Sequence, residues 1–348
     1  FKKERTIKKK QAGQPRKKAY YIAKSKEKEI SLSTSSYTTA RQRVPKELME
    51  EIFKQSGDQK SVAKYRFHGR EVYIADGTYA QLQDTKELRK QYGCKLKKEG
   101  ETYPQALIEA ITHQSSGCIT AYKMANRHCS ELDLVLELMK EIPENSVLLG
   151  DDLYNCYAVF YIANLNKIDL IVPAKRVRKF SVIKTVQSGD QIVTISLGKN
   201  SCERLEKLGC TDIAKTLTLR RITYQDPNHP DKTRILMTTI LDESINKWDF
   251  ISKYSTRWDI EVSIREIKTI MHANVLRSKT EDMIHKELAA VFIAYNFIRL
   301  IILESAVKAD SPPKEDFFYK FYSFGKTIFR DKKGRIYNRW SPGRLGYS

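Results

Sequence analysis

Apolar and polar positions along the chain repeat with two different periods, and the switches between them mark a series of elements. Short apolar, β-branched runs lie at Glu71–Asp76, Gln105–Gln114, Cys118–Met124, Ser146–Gly150 and Ile168–Pro173, and each predicts a strand. Ser115-Ser116-Gly117, between the second and third runs, is a hairpin turn signal. Behind Ser130 the apolar residues Leu132, Val135, Leu136 and Met139 share one helical face, which predicts a helix to about Ile142. A second helix is expected from Tyr154 to Leu165. Three strands, a helix, a strand, a helix and a strand therefore follow one another from Arg70. Beyond Lys175 the texture changes to the alternating runs Gln191–Leu197, Leu217–Tyr224 and Arg234–Leu241, separated by Gly, Asn and Pro turns. Residues 31–56 read as helical, with Ser36 or Thr38 capping a first short helix and Pro45 starting a second.

The most informative stretch is 254–268, Y-S-T-R-W-D-I-E-V-S-I-R-E-I-K. Read as one helix, it places Tyr254, Arg257, Glu261 and Lys268 within an arc of roughly 60°. Ile260, Ile264, Ile267 and Met271 form an adjacent apolar stripe that would pin this face to a core. A carboxylate flanked by two cations and a phenol suits metal-dependent chemistry on a nucleic-acid backbone. Two distant acids end apolar runs: Asp76 in E-V-Y-I-A-D-G-T-Y and Asp151 in S-V-L-L-G-D-D-L-Y. Three convergent carboxylates can hold two hard cations such as Mg²⁺. Asp152 competes with Asp151, but adjacent strand-end residues point to opposite sides, so only one of the two faces the ions. Glu266 is turned about 140° from Glu261 on the same helix, away from Tyr254, Arg257 and Lys268.

These residues resemble the IS4 family of bacterial DDE transposases. The family signature Tyr-x2-Arg-x3-Glu-x6-Lys is matched at Tyr254, Arg257, Glu261 and Lys268. D-G-T-Y-A-Q-L-Q-D-T from Asp76 to Thr85 resembles its first motif, and G-D-D-L-Y from Gly150 to Tyr154 its second. The spacing to Tyr154 in that second motif favours Asp151 over Asp152. L-R-S-K-T and K-E-L-A-A-V-F-I-A-Y-N-F-I-R also look like the family, so the resemblance runs over residues 30–305.

The resemblance implies an α/β, RNase H-like core: a mixed sheet flanked by helices and interrupted by a β-rich insertion, behind a small helical N-terminal region. Its first and fourth strands would be neighbours, bringing Asp76 and Asp151 together. The expected organisation is a basic arm (1–30), a helical DNA-binding region (31–68), the first part of the core (69–174), the insertion (175–246), the second part of the core (247–305) and a C-terminal extension (306–348). Asp76, Asp151 and Glu261 would be the catalytic residues, holding two Mg²⁺ ions that Mn²⁺ could replace. The implied activity is cleavage at insertion-sequence ends followed by strand transfer into target DNA. Tyr254, Arg257 and Lys268 would contact DNA, and a homodimer would form on double-stranded DNA. An RNase H-like nuclease without strand transfer, or a domesticated DNA-binding derivative, would share these motifs, although the presence of all three acids argues against a catalytically dead form.

Composition adds to this picture. The chain of 348 residues carries 62 Lys and Arg against 42 Asp and Glu, a net charge of +20, which favours a polyanionic partner. Residues 1–30 hold 12 of these cations against three acids, which suits either a solvated tail or a DNA-contacting arm. The insertion opens with P-A-K-R-V-R-K, whose Lys175, Arg176, Arg178 and Lys179 we read as a phosphate-contacting edge. The longest apolar stretch, Leu288 to Leu303, is broken by Tyr295, Asn296 and Arg299, so no membrane span is expected, and no secretory signal opens the chain. The six cysteines contain no C-x-x-C pair and read as reduced thiols of a bacterial cytoplasmic, nucleoid-associated protein. Trp248 and Trp258 are expected in the core.

Overall fold

A computed structural model of the chain describes residues 35–57, 62, 65–97, 100–174, 179–226, 229–257, 267, 271 and 273–308. They divide between two compact units, one formed by 1–45 with 313–348 and the other by 46–312. The element described in the first unit is α1 (Ser35–Arg43), a polar helix with no buried residue. The remaining elements belong to the second unit.

That unit is a mixed α/β structure built on one sheet of ten strands. β1 (Val72–Gln81) pairs with one strand on each of its two edges. A short β2 (Cys94–Lys97) and β4 (Ile119–Asn126) share the outer edge of β3 (Gly100–His113), which runs antiparallel to β1. On its other edge β1 lies parallel to β5 (Val147–Leu149), and β5 lies parallel to β6 (Asp169–Pro173). The first and fourth of the strands expected from the sequence are therefore neighbours.

The two faces of β1 are covered by different helices. Tyr73 and Ala75 pack with α4 (Glu131–Leu138) and α5 (Tyr157–Leu165), through Val135, Leu136, Ala158 and Phe160. Val72 and Ile74 face Phe250 and Ile251 of α7 (Lys247–Ser255). This is the two-residue alternation of a strand buried on both sides. By the same alternation Asp76 is directed to the α7 face and Gly77 to the α4 face.

The described residues of segment 175–246 continue the core sheet. β10 (His229–Thr238) pairs antiparallel with β6, and β9 (Thr216–Asp226), β8 (Asp190–Ser196) and β7 (Ser181–Gln187) follow outward. Val193, Ile195 and Leu219 join the same apolar cluster as α5, together with Leu205 of α6 (Lys199–Lys207). The sequence did not predict β7, α6 or α3 (Lys86–Tyr92), the last of which Thr85 caps by accepting from the Leu88 N–H.

On the α7 side of the sheet, α2 (Lys46–Ser56) lies against α8 (Glu281–Lys308), where Phe53, Tyr122 and Phe292 form a cluster of aromatic rings. By length and composition α8 is apolar enough to cross a membrane. In the fold its Asn296 is fully buried and accepts from the Ile119 N–H while donating to the Ile119 carbonyl, which ties the helix to β4.

Two sequence expectations about elements need correction. β1 does not stop at Asp76 but runs on to Gln81, because β3 keeps pairing with it as far as Gln81↔Gln105. The helix expected through 254–268 closes at Ser255 instead. Ser255 Oγ donates to the Ser252 carbonyl and Thr256 Oγ1 to the Lys253 carbonyl, each at 2.6 Å. Such local hydroxyl bonds compete with helix continuation.

Candidate active site

The paired register of β1 and β5 is Val72↔Val147, Tyr73↔Leu148 and Ile74↔Leu149. Two residues further along, each chain carries an aspartate, Asp76 and Asp151. Adjacent strands lie about 4.8 Å apart, so the two aspartates follow from neighbouring strand positions. β5 stops at Leu149, whereas β1 continues with Asp76 still paired to Ala110 of β3. Asp151 caps a single 3₁₀ turn over Asp152–Tyr154, its Oδ1 accepting from the Leu153 N–H at 2.7 Å. Both aspartates are half-buried.

Beneath them lies a carboxyl cluster that sequence reasoning missed. Glu109 of β3 pairs with Gly77 and is fully buried. The Tyr154 hydroxyl donates to Glu109 Oε1 at 2.6 Å and contacts Glu131 Oε1 at 3.3 Å. Glu131, in the first turn of α4, accepts from the Gly77 N–H. Glu109 Oε2 is buried without a hydrogen-bond partner. Burial, reinforced by the charges of Glu131, Asp76 and Asp151, pushes the Glu109 carboxyl up to about 9, so it holds its proton at neutral pH. Burial also raises Glu131, with Asp151 and Asp76 adding to the effect, and raises the Tyr154 phenol well above its ordinary value. The negative potential of the two aspartates thus reaches both glutamates.

Glycines make room for this cluster. A Cβ on Gly77 would stand 2.5 Å from Glu131 Cδ and 2.8 Å from Glu109 Oε2. A Cβ on Gly150 would collide with the Tyr154 ring, which folds back over the residue preceding Asp151. The sequence offered one signal for Glu109: a lone acid within the apolar run A-L-I-E-A-I. Glu131 looked like an ordinary acid of a helix first turn.

On the other face, Tyr254 of α7 packs on the Val72–Ile74 cluster and accepts a hydrogen bond from Arg257. Burial pushes its phenol up to about 12, with the charge of Asp151 also acting on it. Tyr254 and Arg257 meet through a tight turn, with the Arg257 N–H on the Tyr254 carbonyl at 3.0 Å, and not along a continuous helix face. Glu261 and Lys268 lie outside the described residues. Further along, the chain is tied to the end of β1: Gln81 donates to the Asn274 carbonyl and accepts from the Leu276 N–H, both at 2.9 Å. Both described flanks of the Glu261 segment are therefore anchored beside strands that carry the aspartates. Among the described residues no group of three or more His, Cys, Asp or Glu side chains is gathered to hold a metal.

Of the basic run, Lys179 is exposed, while Lys175, Arg176 and Arg178 lie outside the described residues. Trp248 is exposed on α7, with Lys247 over its ring, instead of being in the core; Trp258 lies outside the described residues. Asp84 pairs with Arg89, and Glu71 bonds to Arg66 and His113.

Residues 67–297 match the family described as the transposase DDE domain. Transposase InsG for insertion sequence element IS4, from Escherichia coli (strain K12), is 24% identical over 288 residues, covering 79% of this chain and 62% of InsG. Putative transposase InsZ of the same strain is 29% identical over 141 residues, 39% of this chain and 46% of InsZ. The chain thus spans less than two thirds of the length of either relative. A piggyBac transposase synaptic complex with hairpin DNA, solved by cryo-electron microscopy, is similar with a TM-score of 0.48 and 10% identity over 91% of this chain and 66% of that one. The family match takes in Asp76, Asp151, the Glu109–Tyr154–Glu131 cluster and the whole 254–268 stretch, and on that match the chain belongs to the transposase DDE domain family.

Proposed function

We propose that this chain is a DNA transposase of the IS4 type, with an RNase H-like core, that cuts at insertion-sequence ends and joins the freed ends to target DNA. The observation that carries the reading is that Asp76 and Asp151 each follow by two residues the last register pair, Ile74↔Leu149, of two parallel neighbouring strands, inside a family match. The strand order β4-β3-β1-β5-β6, with the first three antiparallel and the last three parallel, agrees with such a core.

The residues fit a divalent cation. Carboxylate oxygens are the donors that Mg²⁺ and Mn²⁺ take. The field of the two aspartates, strong enough to act on Glu109 and Glu131, is one that a cation relieves. Asp76, Asp151 and Glu261 would hold two ions, which when bound supply Lewis-acid polarisation of the scissile phosphate. The chain does the rest by positioning. Arg257 and Lys268 bind phosphates beside the break, and Arg257 is already braced on Tyr254. Tyr254 stays neutral and orients the backbone. Hydrolysis of the phosphodiester at the element end frees a 3′-hydroxyl, and that hydroxyl attacks a phosphodiester of target DNA. The basic run Lys175, Arg176, Arg178 and Lys179 supports binding of the duplex. Bringing two ends together calls for two copies, hence a homodimer on DNA, working on the nucleoid in the bacterial cytoplasm.

The test is a duplex bearing the element's ends, incubated with the chain and Mg²⁺ or Mn²⁺. We expect a 3′-hydroxyl product and its joining to a second duplex. Asp76→Asn, Asp151→Asn and Glu261→Gln should each reduce cleavage to background while DNA binding persists. Cleavage without joining would mean a nuclease of the same fold, and cleavage that survives one of these substitutions would remove that residue from the site.

A further inference from the structure

Asp76 and Asp151 lie on separate strands, and a two-aspartate site works only if their spacing is fixed. The strand pairing ends at Ile74↔Leu149, short of both. Beyond that pair, the structure offers one described set of contacts on the α4 side that links the two backbones. The Gly77 N–H, immediately after Asp76, is held by Glu131. Glu131 in turn contacts the Tyr154 hydroxyl, and Tyr154 ends the turn that Asp151 begins. Glu109 takes the same hydroxyl at 2.6 Å from beneath, out of β3. All three side chains press on glycines adjacent to the aspartates: Glu109 and Glu131 fill the space of a Gly77 Cβ, and the Tyr154 ring fills that of Gly150.

We propose that Glu109, Tyr154 and Glu131 are positioning residues that clamp the Asp76 and Asp151 backbones at a fixed separation and so set the affinity of the site for divalent cations. The clamp rests on the reading of Asp76 and Asp151 as metal ligands. It does not require the three residues to touch metal or DNA. Tyr154→Phe keeps the ring that packs on Gly150 but removes the hydroxyl. Glu131→Ala releases the Gly77 N–H. Glu109→Gln keeps a carbonyl oxygen to accept from Tyr154, whereas Glu109→Leu does not.

The experiment is Mn²⁺ binding to the 348-residue chain followed by electron paramagnetic resonance, with thermal melting as a check on folding and the Mn²⁺ dependence of DNA cleavage in parallel. Outer-shell partners of this kind change metal affinity about 10-fold or more. Tyr154→Phe, Glu131→Ala and Glu109→Leu should each weaken Mn²⁺ binding by about that factor, with Glu109→Gln close to the parent chain. Cleavage by Tyr154→Phe should recover as Mn²⁺ is raised, so that the half-saturating concentration moves more than the maximal rate. If one variant fails to fold, the others decide the matter. Folded Tyr154→Phe and Glu131→Ala chains that bind Mn²⁺ as the parent does overturn the clamp, even where Asp76→Asn and Asp151→Asn abolish binding. A parent chain without an Mn²⁺ site, or one indifferent to Asp76→Asn and Asp151→Asn, sinks the metal reading and the clamp with it.

Discussion

Two buried polar clusters on the same sheet solve opposite problems. In the outer half, Arg220 of β9 and Asp190 of β8 are both fully buried and joined by two hydrogen bonds, at 2.8 and 2.6 Å. The guanidinium also donates to the Asp242 and Ile245 carbonyls, at 2.6 and 2.9 Å, and lies over the Phe250 ring. Charge and hydrogen-bonding capacity are matched, and the bonded carbonyls belong to the segment that leads into α7, so the cluster fixes the helix carrying Tyr254. In the inner half, the carboxyl groups of Glu109 and Glu131 are neighbours, below two further aspartates, and burial with these acids around them raises both. One buried oxygen there has no partner. Neutralising a cluster of the first kind is done within the chain. A cluster of the second kind gathers negative charge that protons or a bound cation must offset, which is the mark of a site and not of a strut.

The contrast can be broken at the strut first, where the effect on stability is largest. Arg220→Met leaves Asp190 buried and unpaired, and about 3–5 kcal/mol of stability should be lost in urea denaturation. Adding Asp190→Leu should recover most of that loss, since an apolar pair of similar volume is tolerated in place of a buried ion pair. No recovery would mean that the carbonyl bonds to Asp242 and Ile245, and not the ion pair, carry the stability.

Gly77→Ala comes next. Its Cβ would meet Glu131 and Glu109, and overpacking of this sort costs about 1–3 kcal/mol. The distinguishing result is a loss of Mn²⁺ affinity out of proportion to the change in Tm, because the added methyl group pushes on the clamp.

The smallest effect, taken per pH unit, concerns titration. In the folded chain Glu109 holds its proton up to about 9, against 4.5 as its ordinary value. Between those limits the native state keeps a proton that the unfolded chain releases, so this group makes stability fall as pH rises. The slope from one such group is at most about 1.4 kcal/mol per pH unit. Glu109→Gln should flatten the stability profile between pH 4.5 and 9 and leave the chain more stable at the alkaline end. A profile unchanged by the substitution would show that Glu109 is ionised in the fold.

Much of this arrangement was readable from the chain alone. Apolar runs located β1, β3, β4, β5 and β6 in order, and the aspartates that follow or interrupt two of them were visible as polar residues at abrupt ends of those runs. Register was not readable. The pairing of Glu109 with Gly77 depends on how β3 aligns with β1, and no local pattern encodes that. Arg220 was hidden for the same reason: in T-L-T-L-R-R-I-T-Y it resembles a solvent-facing strand charge until Asp190 is found diagonally across from it on the same face of the sheet. Helix periodicity overreached at Ser255, because spacing carries no information about hydroxyls that bond back to their own turn.

Metal binding by Asp76 and Asp151 is seen most directly in an anomalous difference map from crystals of the chain soaked in Mn²⁺. A cation held by the two aspartates gives a peak within about 2.0–2.6 Å of carboxylate oxygens from both Asp76 and Asp151. Manganese bound elsewhere, with these two side chains left without it, would contradict that assignment.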